Sequence, residues 1–294
     1  MYPMKKLLKF FLEIGFVLLS LAVTLYLLTP DKLQDTTTLG LKIRSQRWSG
    51  AITVKGDINF MPWATLTVEP GTTVLFEKKP DQEGTDWTKW ADAYIKDHND
   101  PTGRIGYGKT HFHLYGKILA NGTADQPIIF TSAQTQPEYA DWDQLILLSD
   151  SRLDWVELAY SHNGANIEGR NVTITNGKIH DSLWSCIDLF SWGAEITNNE
   201  VYHCWHQAIG IKTDAGSNHI NAISGNNVHD AWLGLNCEGD AQPWVTDNKF
   251  DAAPVAENCR TTPPVSQNNT ISDRPADSSG GTYGGQIIYP AASQ

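Results

Sequence analysis

The chain has 294 residues, of which 19% are charged and 10% aromatic, with 11 Trp, 24 Gly and a formal net charge of −11. That length suits one large domain or two small ones. The acidic balance argues against nucleic acid as a partner, because phosphates demand a basic surface. It also opposes unaided binding of an acidic polymer, for which a bridging Ca²⁺ would be the remedy.

The first segment, MYPMKKLLKF, carries Lys5, Lys6 and Lys9, and the following run to Leu28 holds one charge, Glu13. From Phe10 the Lys-free stretch is about as long as a bilayer span requires. Residues 1–30 are therefore expected to form a signal anchor, a single transmembrane helix. The preceding Lys cluster places the N-terminus in the cytoplasm and the rest in the periplasm or outside the cell. A cleaved signal peptide is the alternative, but no A-x-A-like site precedes Pro30. Residues 31–46 read as a stalk.

Beyond the stalk the pattern is β. RWSGAITVKGDINFMPWATLTVEPGTTVLFE spans Arg47 to Glu77, and GKILANGTADQPIIFTSA spans Gly116 to Ala133. Pro70 and Gly71 suit a type II turn between two β-rich runs. Gly116 and Gly122 mark tight corners where a side chain would clash. Val68, Val74, Phe76, Ile118, Ile128 and Phe130 are expected to point inward. DWDQLILLSDSRLDWVELAYSHNGANI follows, from Asp141 to Ile167. Together these segments resemble the N-terminal coils of right-handed parallel β-helix proteins of the pectin-lyase-like superfamily. The resemblance covers about Arg47 to Asp251. It implies an all-β, right-handed parallel β-helix solenoid over residues 47–252. That superfamily includes polysaccharide lyases, glycoside hydrolases, adhesins and noncatalytic surface proteins, so the resemblance speaks to fold far more than to activity.

Residues 78–109 interrupt the β pattern with Trp87, Trp90, Tyr94 and Tyr107. Long insertions in solenoids usually sit on one face and often form a binding wall. Asp97, Asn99 and Asp100 carry oxygen ligands but miss the EF-hand frame. His111 and His113 share one face of a strand, with no third metal ligand identifiable.

The second half repeats. The pairs Leu153/Leu158, Ile174/Ile179, Ile196/Val201, Ile223/Val228 and Val245/Phe250 each hold two apolar residues five apart, and their first members are spaced 21, 22, 27 and 22 residues apart. A period in the low twenties with strand-like alternation fits one coil of a parallel β-helix. Aligning the coils on Ile179, Val201 and Val228 stacks His180, Tyr202 and His229, then Asp181, His203 and Asp230. The same alignment equates Trp205 with Trp232 and leaves Trp184 one place off. Asp188, Lys212, Asn236 and Glu238 fall at outward positions on the next strand.

An aromatic row interleaved with carboxylates and His is how a protein grips a sugar chain, the rings stacking on apolar sugar faces. Ligand-binding candidates are Trp184, Trp205, Trp232, His180, Tyr202, His203, His206 and His229. A structural ladder in which the rings pack on each other is the competing reading. Glycoside hydrolysis would want two carboxylates roughly 5–10 Å apart, and Asp181, Asp188 and Asp230 could supply such a pair. β-Elimination would want a basic residue, and Lys212 is the one the alignment brings near. No complete catalytic motif is present, and Ca²⁺ is the one cofactor worth considering.

Four cysteines, Cys186, Cys204, Cys237 and Cys259, would lie in an oxidising compartment, and they allow three pairings. Cys237–Cys259 is favoured because it would staple the tail to the last coil. Buried free thiols are the plain alternative. The tail, residues 253–294, is rich in Pro, Gly and Ser and reads as loop. The expectation is a membrane-anchored extracytoplasmic β-helix that binds, and in its fuller form cleaves, a polysaccharide. A noncatalytic surface, scaffold or adhesin-like β-helix and a periplasmic metal-handling β-helix are the alternatives.

Overall fold

A run such as Thr173–Thr175 buries one side chain, Ile174, and leaves its flanks half exposed. It cannot hold itself together and must stack on like runs. The computed structural model describes residues 17–21, 23, 31–32, 37–78, 113–211, 221–238, 243–253, 255 and 266–272. Within them the strands join one continuous sheet, consistent with a β-helix solenoid, and the pairings between strands are parallel. Among the described residues helix is confined to residues 17–21 and 23.

A middle coil contains Thr173–Thr175, Lys178–Ser182 and Ser185–Leu189. Each of the three pairs with its counterpart in the next coil, Glu195–Thr197, Glu200–Cys204 and Gln207–Ile211. The apolar pairs expected from the sequence form two inward rows. Leu153, Ile174, Ile196, Ile223 and Val245 pair in register on the first face. Leu158, Ile179, Val201, Val228 and Phe250 do so on the second. The third face adds Ala165, Ile187, Ile209 and Leu235. Each of these side chains is 2% exposed or less, and so are Val68, Val74, Phe76, Ile118, Ile128 and Phe130.

Corners between faces are made by left-handed residues. Trp155, Asn176, Asn198, Asp247 and Asn268 take positive φ at the first corner, and Tyr160, Asp181, His203, Asp230 and Ala252 at the second. Asn and Asp tolerate this conformation better than most residues. Just inside the first corner lies a feature the sequence reading did not resolve. Asn199, Asn226, Asn248 and Asn269 stack as a ladder, each side-chain amide donating to the next Oδ1 at 2.9–3.0 Å. Each Oδ1 also accepts a backbone N–H of the coil before it. The ladder satisfies corner groups that a turning chain would otherwise bury unpaired. The glycine corners are steric as expected: a Cβ on Gly116 would lie 2.7 Å from Phe60 Cβ, and one on Gly122 would lie 2.5 Å from the Trp155 carbonyl oxygen.

Both ends of the solenoid differ from expectation. Thr37–Lys42, expected within a stalk, pairs with Ala51–Phe60, and Asp31–Lys32 pairs with Gln46–Trp48. Downstream, Ser266–Gln267 and Thr270–Ser272 pair with Trp244–Thr246 and Lys249–Asp251. A further coil therefore lies inside the expected tail, because VSQNNTIS repeats the apolar–Asn–apolar frame. Among the described residues no helix is long and apolar enough to cross a membrane, and most of the expected span lies outside them. The insertion beyond Lys78 also lies outside the described residues as far as Phe112.

Candidate functional site

The second corner and the strands beside it gather most of the candidate residues. On the second face His180, Tyr202 and His229 pair in register. Their rings stack in parallel, His180 on Tyr202 at 4.7 Å and Tyr202 on His229 at 4.9 Å between centroids. Each imidazole is bracketed by acids. His180 Nδ1–H donates to Asp181 Oδ2 at 2.7 Å, and its Nε2 lies 3.6 Å from Glu157. His229 repeats this with Asp230 at 2.8 Å and Glu200 at 3.6 Å. The expected row is therefore real, but its rings and nitrogens are engaged with one another and with carboxylates.

Asp181 is the electrostatic centre of the corner. It accepts from His180, from His203 Nδ1–H at 3.2 Å and from the Tyr139 hydroxyl. Burial opposes its charge, but the hydrogen bonds from His180 and His203 outweigh that and hold the carboxyl far below the usual range. Burial likewise opposes a charged His180, yet Asp181 and Glu157 raise it to about 9. The hydrogen bond to Asp181 raises His203. Burial, reinforced by nearby carboxylates, lifts Tyr160, and it lifts Tyr202 to about 12. Asp181 is thus a fixed anion, unable to serve as a general acid near neutrality. Tyr139, Glu157 and Tyr160 were missed by sequence reasoning. Glu157 was findable, since it sits one place before Leu158 and pairs with Lys178. Tyr139 was not, because it lies in a non-repeating loop.

The Trp row needs a correction. His206 hydrogen-bonds through its backbone to the Trp184 carbonyl, and the strands that follow align Ser185, Gln207 and Leu233. The residues before them therefore stack as Trp184, His206 and Trp232. Trp184 lies on His206 at 4.2 Å and 11°, and Trp232 meets His206 edge-on at 5.3 Å. Trp205 is displaced one place from this row. The physical cause is turn length: Val201 to Gln207 spans six steps, whereas Val228 to Leu233 spans five. The shorter corner at Asp230 brings Trp232 forward by one.

Asp188, expected to face outward toward ligand, is only 2% exposed. It accepts a hydrogen bond of 2.8 Å from Gln207 Nε2, which also donates to Ser185 Oγ. Asn236 in turn donates to Gln207 Oε1 at 2.9 Å. A Cβ on Gly210 would lie 2.0 Å from Gln207 Nε2 and 2.4 Å from Asp188 Oδ1, so the missing side chain makes room for this contact. Asp188 is part of a buried polar strut, and its expected pairing with Asp181 or Asp230 as an open catalytic dyad is set aside. Lys212 lies outside the described residues.

The cysteines also differ from the reading. Cys186 and Cys204 form a disulfide joining neighbouring coils, in place of buried free thiols. The bond ties the strand after Trp184 to the residue between His203 and Trp205. Cys237 is disulfide-bonded, and its expected partner Cys259 lies outside the described residues. His113 is held by Asp57 at 3.2 Å and Asn59 at 3.0 Å, and His111 lies outside the described residues. Among the described residues no group of three or more His, Cys, Asp or Glu is arranged to hold a metal ion.

No family model, curated protein or solved structure matches the chain.

Proposed function

We propose that this chain is a membrane-anchored, extracytoplasmic, right-handed β-helix of the pectin-lyase-like kind that binds a carbohydrate polymer at its second corner. The observation that supports this reading best is the half-buried row Trp184, His206 and Trp232, set beside the half-exposed His203 and Trp205. Aromatic faces flanked by imidazole, hydroxyl and carboxylate groups match the alternating apolar and hydroxylated faces of a sugar chain. Stacked coils repeat such groups about every 4.8 Å along the axis, which suits a polymer better than a single small ligand. The export expectation supports the same reading, since the Lys-flanked apolar segment would deliver the solenoid to the side where envelope polysaccharides lie.

The test is a glycan-array screen of the full chain in mild detergent, with and without Ca²⁺, beside Trp232→Ala and Trp205→Ala. Binding lost in Trp232→Ala supports the reading, and product analysis on the bound glycan then separates lectin from enzyme. A noncatalytic scaffold is the second reading. It is favoured by the stacking of Trp184 on His206, which uses one face of each ring internally. Absence of binding on every glycan, with the chain folded, would leave that reading in place.

A further inference from the structure

His180, His203 and His229 stand along the second face and corner, and they differ in what their nitrogens do. His180 is bracketed at both nitrogens by Asp181 and Glu157. His229 is bracketed at both by Asp230 and Glu200. His203 is engaged at one only: Nδ1–H donates to Asp181 Oδ1 at 3.2 Å, and among the described residues Nε2 has no hydrogen-bond partner. Its side chain is 39% exposed, so Nε2 can meet a ligand. The ring is steadied edge-on against Tyr202 at 4.9 Å. Its backbone is left-handed, φ 51°, in line with Asp181 and Asp230 in the coils on either side.

A carboxylate that fixes one imidazole nitrogen and leaves the other open is the arrangement of a general base. The carboxylates of the same region are poor candidates for the paired acid and base of glycoside cleavage. Asp181 is a fixed anion among His180, His203 and Tyr139. Asp188 is buried against Gln207. Asp230 is exposed but holds His229, and one carboxylate is not a pair. We propose that His203 is the catalytic base of an ester hydrolysis, with Asp181 as its positioning residue. The substrate class is an acyl ester on a hydroxyl group, and its identity as an O-acylated sugar rests on the carbohydrate reading above.

The step balances without a further reactant. Neutral His203 Nε2 takes a proton from water as the water oxygen bonds to the acyl carbon and the carbonyl pair moves onto its oxygen. On collapse the bond between the acyl carbon and the alcohol oxygen breaks. The imidazolium returns its proton to the departing oxygen, giving the free hydroxyl, and the carboxylic acid loses its own proton to solvent. The groups facing His203 are Asp181 and His180 in the preceding coil, Asp230 in the next, and Tyr202 beside it. The hydrogen bond to Asp181 raises the imidazole, so the base form gains population at higher pH than in an ordinary His, and the rate should climb with pH to a plateau.

The experiment is hydrolysis of p-nitrophenyl acetate by the full chain in mild detergent across pH 5–9. The probe contains no sugar, so its outcome is independent of glycan binding. The comparison includes His203→Asn, Asp181→Asn and His113→Ala. Asn tolerates a left-handed corner, so His203→Asn should fold, as its urea midpoint would confirm. Expected are a loss of about a hundredfold in His203→Asn, a rise shifted to lower pH in Asp181→Asn, and an unchanged rate in His113→Ala. No turnover above buffer, a rate retained in His203→Asn, or a pH profile unmoved in Asp181→Asn would each overturn the proposal.

Discussion

Asn226 and Asn227 are neighbours in sequence and opposites in energetics. The Asn226 Oδ1 accepts the Asn199 backbone N–H at 2.9 Å and the Asn199 side-chain amide at 3.0 Å. Its own amide donates to the Ile196 carbonyl at 2.8 Å and to Asn248 Oδ1 at 2.9 Å. In Asn226→Ala the Asn199 N–H, deep in the corner, loses its acceptor. The Asn199 amide keeps the Ile174 carbonyl, and Asn248 Oδ1 keeps the backbone N–H of residue 226. One orphaned buried donor costs about 1–3 kcal/mol and each of the three further lost bonds about 1 kcal/mol, so the total should be about 4–6 kcal/mol. The Asn227 Oδ1, by contrast, is buried with no hydrogen-bond partner among the described residues. Asn227→Ala removes an unsatisfied acceptor and should change stability by about 1 kcal/mol at most. Urea unfolding of the full chain in detergent, followed by Trp fluorescence, compares the midpoints at constant m. Equal losses in the two variants would refute the claim that the ladder, rather than the Asn content of the turn, holds the first corner.

Other consequences follow from the same geometry. Replacing Cys186 and Cys204 together by Ala removes a crosslink of sequence separation 18, worth about 3 kcal/mol by loop entropy, and the urea midpoint should fall accordingly. Gly210→Ala would drive a methyl into Gln207 Nε2 and Asp188 Oδ1, and a thermal melt should show a loss of about 1–3 kcal/mol. Stability should also depend on pH in a defined sense. His180 is raised from 6.5 to about 9, so its contribution is complete below pH 6.5 and is lost as pH rises through 9. Asp181 is lowered, so its contribution is present above the ordinary carboxylate pKa and is lost as pH falls below it. Unfolding free energy should peak between the two windows, and His180→Gln should flatten the alkaline side; an unchanged alkaline limb would count against the bracket.

The inward rows were legible in the sequence because each short strand buries one or two apolar residues at a fixed place. Leu153/Leu158 and its four successors needed only a count of five. The row of His180, Tyr202 and His229 followed from the same register. The Trp row did not, because register established on one strand does not survive a corner of different length, and the corner at Asp230 is one residue shorter. Asp188 shows a second limit. Alternation says on which side of a strand a residue lies, but not what covers that side. The Asn ladder was hidden because Asn in a turn already has a sufficient local explanation in its tolerance of left-handed backbone. The coil at 266–272 was hidden by the prolines before it, Pro263 and Pro264, whose composition outweighed a short repeat.

The second corner unites the needs of folding and chemistry at one position. Asp181, His203 and Asp230 occupy equivalent left-handed sites, so each should suit Asp or Asn on backbone grounds alone. A third Asp at 203 would satisfy the backbone but stack like charges between neighbours roughly 5 Å away. At that spacing each pair repels by about 1–3 kcal/mol, depending on local screening. His203→Asp should therefore be less stable than His203→Asn at neutral pH, and the gap should close as pH falls below the ordinary carboxylate range. Both variants lose the imidazole and both suit the corner, so the difference isolates charge from shape. Equal midpoints at pH 7 would mean that His203 is tolerated at the corner rather than required between two carboxylates, and that its link to Asp181 contributes little to the fold.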